Sequence, residues 1–257
     1  MKTADHKPTT GEDHARDVET AIPSRKQRVL VIIPAYNEES SIAAVIDDIR
    51  SSLDCDIVVV DDGSSDRTGQ VAAAKGADLL QMPFNLGIGS TMQTGYLYAW
   101  RKGYDIAVQT DGDGQHDASF IPALIEPIID GESDMVVGSR YLASREYRGT
   151  IGRRLGTSFF SRVLSLMMKQ RLTDATSGFR AVDRTLVEQF AHDYPRDYPE
   201  VETLLVAHMN HCRVREIPVR MRERGGGRSS INMFRSVYYM VKVVLALLVV
   251  ASRRRAA

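Results

Sequence analysis

The feature that most constrains this chain is a rhythm of short apolar runs, each closing on a polar turn. "VLVIIPAYNEE", "DIVVVDDGSSDRT" and "IAVQTDGDGQHD" all follow it, and helix-like stretches lie between them. The runs are too short for helices and rich in β-branched residues, so they read as buried strands. The pattern predicts strands from Val29 to Pro34, up to Asp61, near 78–82, over 106–110 and over 135–138. Helices are predicted over 40–52, after Asp61, over 90–102 and over 120–129. Strands alternating with helices imply a mainly parallel α/β sheet covered on both faces. Ligands of such sheets bind beyond the carboxyl ends of the strands. Asp61, Asp62, Asp111 and Asp113 all fall there.

After Arg140 the pattern loosens. A basic helix is expected over 152–168, "TDATSGFRAV" turns into a strand, and a helix over 201–210 precedes a strand over 214–219. With 257 residues, 43% apolar and 26% charged, the chain has enough material for one large domain with a real core. Cys55 and Cys212 lie far apart and outside any CxxC pattern, which points to a reducing compartment without a disulfide framework. Residues 1–28 are polar, lack periodicity and have no apolar core, so they read as a disordered leader rather than a signal peptide.

The net charge is zero, yet it is unevenly spread. From Arg140 to Arg171 eight basic residues meet one acid, and from Arg213 onward eleven meet two. These stretches carry +7 and +9, leaving −16 for the rest. A basic half beside an acidic half points to an anionic ligand or an anionic membrane.

Asp111 and Asp113 are separated by one glycine at a predicted strand end, where two like charges call for a cation. Carboxylate oxygens at this spacing suit Mg²⁺ or Mn²⁺, which complete their shells with water and substrate phosphates. Gly112 leaves room for a diphosphate near the backbone, and Gln115 adds a neutral oxygen. A hard, phosphate-bound cation has little use for imidazole, so His116 is expected to be structural or to face the acceptor. "NLGIGSTMQ" carries Gly87-x-Gly89, but Met92 stands where a dinucleotide fingerprint needs its third glycine. No Walker loop and no GxSxG occur. Tyr36, Tyr96 and Tyr98 read as core or wall rather than as a nucleic-acid stacking platform.

Taken in order, "VIIPAYNEESSI", "IVVVDDGSSDRT", "FNLGIGSTMQTGY", "QTDGDGQHD", "VVGSRY", "DATSGFRAV", "YPEVETLL" and "RGGGRSS" resemble the inverting family 2 glycosyltransferases with a GT-A fold. The likeness is strongest to the dolichol-phosphate mannose synthase type, including bacterial polyprenyl-phosphate sugar transferases, and runs from about Val29 to Ile231. It implies a metal-dependent glycosyltransferase domain over 29–230. The resemblance places Pro34, Tyr36 and Glu38 at the nucleoside, Asp61 and Asp62 at base and ribose, and Asp111, Asp113 and Gln115 at the metal. It also places Arg140 at a phosphate, with Arg153 or Arg154 on the acceptor side. Arg224 matches the first residue of an R-x-x-G-x-S-K loop that closes over the donor diphosphate. Here the chain departs, because Ser230 replaces the lysine and Arg228 stands two residues earlier.

The implied donor is a UDP- or GDP-sugar, and the implied acceptor is an undecaprenyl or dolichyl phosphate. A phosphate acceptor is already ionised at neutral pH and needs no base. A saccharide or protein hydroxyl would need one, with Glu200 or Glu202 as candidates. A non-catalytic, membrane-associated binding module is the third reading; no nucleic-acid partner is expected. Residues 231–257 hold a clean apolar run of only nine residues, Val243 to Ala251, against the ~20 that span a bilayer. Arg235, Tyr239, Lys242, Ala246 and Arg253 form one helical stripe. This predicts an amphipathic helix on the cytoplasmic face of the membrane, or docked on a small membrane protein, with Arg253–Arg255 near anionic headgroups.

Overall fold

A computed structural model of the chain describes residues 27–142 and 151–222 with positions 242 and 245; the side chains of 151–155 are outside that description. The leader up to residue 26, Arg224, Arg228, Ser230 and nearly all of the basic tail lie outside the described residues, as do the Arg153 and Arg154 side chains.

The apolar runs form a seven-stranded sheet in the order β3-β2-β1-β4-β6-β5-β7. Its strands are β1 (Val29–Ala35), β2 (Asp56–Asp61), β3 (Asp78–Gln81), β4 (Ile106–Gln109), β5 (Met135–Ser139), β6 (Arg180–Asp183) and β7 (Val214–Pro218). β6 runs antiparallel to both of its neighbours, and every other pairing is parallel. The helices are α1 (Ile42–Ser52), α2 (Thr68–Ala74), α3 (Ile88–Lys102), α4 (Ile121–Ile129), α5 (Ile151–Met168), α6 (Arg184–His192) and α7 (Pro199–Met209).

Two-residue alternation divides the core. Leu30, Ile32, Val58, Val60 and Ala107 face α3, α5, α6 and α7. Val31, Ile33, Val59 and Val108 face α1, α2 and α4. The central strands are therefore buried on both sides and read as unbroken apolar runs rather than alternating ones. α6 has no counterpart among the expected elements. Its signals are present: Asp183 caps it by accepting from Leu186 N at 2.9 Å, and Leu186, Val187, Phe190 and Ala191 fill its buried face.

After β3 the chain crosses back to lay β4 on the other side of β1, so the strand order reverses between β1 and β4. Ile32 O accepts the last cross-strand bond there, from Thr110 N at 3.1 Å. By alternation Pro34 faces the same side as Ile32, beyond the end of that ladder. A proline costs no hydrogen bond at this point, and the end of the pairing marks the switch-point crevice at which ligands of such sheets bind.

Gly89 owes its identity to packing at the start of α3. A Cβ there would stand 2.5 Å from both Cα and O of Arg196, backbone atoms that cannot swing aside. Gly89→Ala is therefore expected to destabilise the fold by about 1–3 kcal/mol, seen as a lowered urea midpoint with an unchanged slope.

Candidate active site

Two loops line the crevice on its β1–β2 side and are knitted together. Asn37 Oδ1 accepts from Ser65 N at 2.8 Å, Asn37 N donates to Ser64 Oγ at 2.9 Å, and Glu38 N donates to Thr68 Oγ1 at 2.8 Å. Pro34 is buried below, while Tyr36 stands 48% exposed at the mouth. Asp61 is buried and accepts from Ser64 N at 2.9 Å. Asp62, expected at base and ribose, also has a structural part beside the 84–87 loop. It is buried, and its two carboxylate oxygens accept from Leu86 N at 2.8 Å and Gly87 N at 2.9 Å. Its charge serves to hold the 84–87 loop.

The segment after β4 is held just as firmly. His116 is buried, stacks on Phe179 with ring centroids 4.8 Å apart, and turns Nδ1 toward Asp111 N (3.0 Å) and Thr110 Oγ1 (3.2 Å). With Nδ1 accepting from a backbone amide, the ring proton sits on Nε2, which faces Asp111 Oδ2 at 3.6 Å. Asp113 Oδ1 accepts from Gln115 N at 3.0 Å. Arg222 ties the segment to α1: its amide donates to Gln115 O at 2.8 Å, and its guanidinium pairs with Asp117 at 3.1 Å and with Asp48. A Cβ on Gly112 would make only ordinary contacts, 3.4 Å to Pro34 O and 3.6 Å to Glu38 Cγ, so no protein neighbour demands a glycine there.

Among the described residues no group of three or more His, Cys, Asp or Glu side chains is arranged to hold a metal. What the crevice offers is a pair of carboxylates, with the Asp111 side chain 42% exposed. His116 has its Nδ1 lone pair committed. Hard oxygen donors that leave most of the shell to water and phosphate fit Mg²⁺ or Mn²⁺ and do not fit a closed structural zinc site.

Across the crevice, Arg140 directly follows β5 with its guanidinium already paired. Nε and Nη2 meet Asp174 Oδ2 and Oδ1 at 2.6 Å each, and Nη2 also donates to Thr176 Oγ1 at 2.9 Å. Asp174 is fully buried. Glu216 of β7 fixes its backbone, accepting from Asp174 N at 2.7 Å and Thr173 N at 2.8 Å. Burial pushes the Glu216 carboxyl above its ordinary range, although those amides pull the other way. Arg140 is thus a charge-compensated group squared up by its partner rather than a lone cation.

Arg180, fully buried, donates to Thr203 Oγ1 at 2.7 Å, to Glu200 O at 3.2 Å, and through Nε to Ser177 O at 3.1 Å. This bolts the first turn of α7 onto β6. Glu200 and Glu202, two residues apart on a helix, point to nearly opposite sides. Glu200 lies within electrostatic reach of Arg180, Asp111 and Arg140; burial raises its pKa, with Asp111 adding to the rise and the two arginines opposing it. Glu202 is buried beside Asp197, and burial raises its pKa too. Of the two carboxylates expected as candidate bases, Glu200 is the one that feels Asp111 and Arg140, while Glu202 sits beside Asp197. Asp174, Arg180 and Glu216 had no role assigned from sequence. The acid and base inside "DATSGFRAV" were the available signal.

The sheet order and the carboxylate pair at its switch point define a GT-A architecture. The chain matches the family model described as glycosyl transferase family 2 over residues 30–190, and it belongs to that family. It is 30% identical over 233 residues to the polyprenol monophosphomannose synthase of Mycolicibacterium smegmatis, covering 86% of this chain and 85% of that one. It is 29% identical over 220 residues to the undecaprenyl-phosphate mannosyltransferase of Micrococcus luteus, covering 80% and 88%. The fold also matches glucosyl-3-phosphoglycerate synthase from Mycobacterium tuberculosis, solved with Mn²⁺, uridine diphosphate and phosphoglyceric acid. That match has a TM-score of 0.67 at 24% identity and covers 87% of this chain and 78% of that one. No helix among the described residues is long and apolar enough to cross a membrane.

Removing one partner of the Arg140–Asp174 pair leaves a buried charge uncompensated. Asp174→Ala is expected to lower stability by about 3–5 kcal/mol, measured by chemical denaturation. The double change Asp174→Leu with Arg140→Met should recover most of that loss.

Proposed function

We propose that this protein transfers a sugar, with inversion, from a nucleotide diphosphate donor to a polyprenyl phosphate while attached peripherally to the cytoplasmic face of a membrane. The observation that carries the reading is the exposed Asp111 carboxylate, with Asp113 beside it, at the β1–β4 switch point of a family 2 chain. The lipid-phosphate acceptor is supported by the names of the relatives and by the +7 stretch after Arg140.

In this reading Pro34, Tyr36, Glu38, Asp61 and Asp62 form the nucleoside wall, and the donor is a UDP- or GDP-sugar. Asp111, Asp113 and Gln115 would hold a Mg²⁺ or Mn²⁺ ion, which when bound supplies a Lewis acid for the departing diphosphate. The firm seating of their backbone by His116 and Arg222 keeps these ligands in place without reorganisation. Arg140, Arg153 and Arg154 serve the acceptor, and Arg224 and Arg228 the donor diphosphate. A phosphate oxygen of the acceptor bonds to the anomeric carbon from the face opposite the leaving group. The bond from that carbon to the diphosphate oxygen breaks, and its electron pair leaves with the nucleotide. No proton moves, because the acceptor enters ionised. The tail over 231–257 supplies the membrane contact, directly or through a small membrane protein.

Purified protein with Mn²⁺ or Mg²⁺, a panel of UDP- and GDP-sugars and a short-chain polyprenyl phosphate should yield a glycolipid of inverted configuration, and chelation should abolish it. Asp113→Asn should reduce kcat by about 10²–10³-fold. Absence of glycolipid from every donor in the panel would overturn the assignment.

A further inference from the structure

Arg140 is tied down through its amide, its guanidinium and both of its chain neighbours, and these ties lead to Glu216 on the last strand of the sheet. The Arg140 amide donates to Asp174 Oδ2 at 3.0 Å, and the guanidinium takes both Asp174 oxygens. On either side, Tyr141 N donates to Ser139 Oγ at 3.3 Å, and Ser139 Oγ meets Thr173 Oγ1 at 2.6 Å. Thr173 and Asp174 then converge on the Glu216 carboxylate. Oε1 accepts from Asp174 N at 2.7 Å, and Oε2 accepts from Thr173 N at 2.8 Å and Thr173 Oγ1 at 2.9 Å.

The hydroxyl protons give this relay a direction. Each hydroxyl has one proton to donate. Thr173 spends its own on Glu216, so Ser139 donates to Thr173 and accepts from Tyr141. Three donors therefore end on Glu216, a task for a carboxylate that only accepts. A glutamine of the same shape would turn an NH₂ group toward at least one of them. The guanidinium is a rigid plane with its donors in a fixed fork. Once one edge is seated on Asp174, the plane of the whole group follows from where Asp174 stands. Thr176 extends the same segment to α5: it accepts from Arg140 Nη2 at 2.9 Å and meets Thr157 Oγ1 at 3.0 Å. Thr157 lies one turn after Arg153 and Arg154 on that helix. Segment 173–176 thus sets Arg140 against the helix bearing the other two arginines of the proposed acceptor side, and Glu216 sets the segment.

We propose that Glu216 is a positioning residue for the acceptor: as the common end of both routes, it fixes the angle at which Arg140 meets the phosphate, without touching that phosphate itself. The inference rests on the reading above that gives Arg140 to the acceptor, and it adds a residue from a different strand on which acceptor use depends.

Separate donor and acceptor measurements on the full chain distinguish this role from a structural one. Calorimetry reads the affinity for UDP and GDP with Mn²⁺, and steady-state transfer reads kcat/KM for a short-chain polyprenyl phosphate. Glu216→Gln should lower the acceptor kcat/KM roughly tenfold to a hundredfold, while the nucleotide affinity and the donor KM hold. In an Arg140→Lys background the same change should have little further effect, because the fork whose angle Glu216 sets is gone. Ser139→Ala cuts the Tyr141 route without removing a charge. It should give a smaller loss of the same kind, and it keeps the test decisive if Glu216→Gln does not fold. The proposal is overturned if the folded variants use the acceptor as the wild type does. It is equally overturned if donor and acceptor parameters fall together, or if the Glu216→Gln loss persists in full beside Arg140→Lys. In each of those outcomes the wild type still transfers to the lipid phosphate. Failure of the wild type to do so would instead overturn the acceptor reading, and this assignment with it.

Discussion

Everything in the site depends on where β1 and β4 stop holding each other. Their ladder ends with Thr110 N on Ile32 O, and the chain continues on both sides without another cross-strand bond between them. Pro34 makes that ending free of cost, since it has no donor to leave unpaired. Gly112 then rests near Pro34 O, and Asp111 and Asp113 emerge beside the gap. Had β4 paired further, the same residues would have been spent on the sheet. The crevice is therefore a consequence of register.

Acidic residues around the gap divide by what the backbone asks of them. Asp62 gives both oxygens to amides of the 84–87 loop, Asp61 takes Ser64 N, and Asp174 takes the Arg140 guanidinium and amide. These are buried, and their charge is balanced by donors that do not move. Asp111 remains substantially exposed. The first set stiffens the loops, so the second set can be presented without help from the ligand. Rigidity supplied beforehand in this way is what electrostatic catalysis requires.

The fold was largely legible because the central strands are apolar on both faces and the helices between them are short and periodic. The boundaries of β2, β5 and α5 fall within a few residues of the expected ones. α6 escaped because β6 and α6 form a short antiparallel excursion in which "RAVD" and "RTLVEQFAH" run together without a glycine or proline between them. At the site, the strand pattern put Asp111 and Asp113 just past the end of a strand, where β4 ends at Gln109. It did not show that Asp62 holds the loop of Leu86 and Gly87, nor that Arg140 already has Asp174. Those partners lie 24, 25 and 34 residues away along the chain. Position along a strand can be read from periodicity, but pairing across loops depends on tertiary contacts.

The charge arrangement has a further consequence for the proposed reaction. Without a cation the crevice shows a diphosphate two aspartates, while Arg140 is largely neutralised by Asp174 and Arg180 is sealed beneath α7. Bare nucleotide would meet repulsion there, and a bare cation would find only part of a coordination shell. Each ligand lacks what the other brings, so the two should bind with positive coupling, reciprocal by thermodynamic necessity.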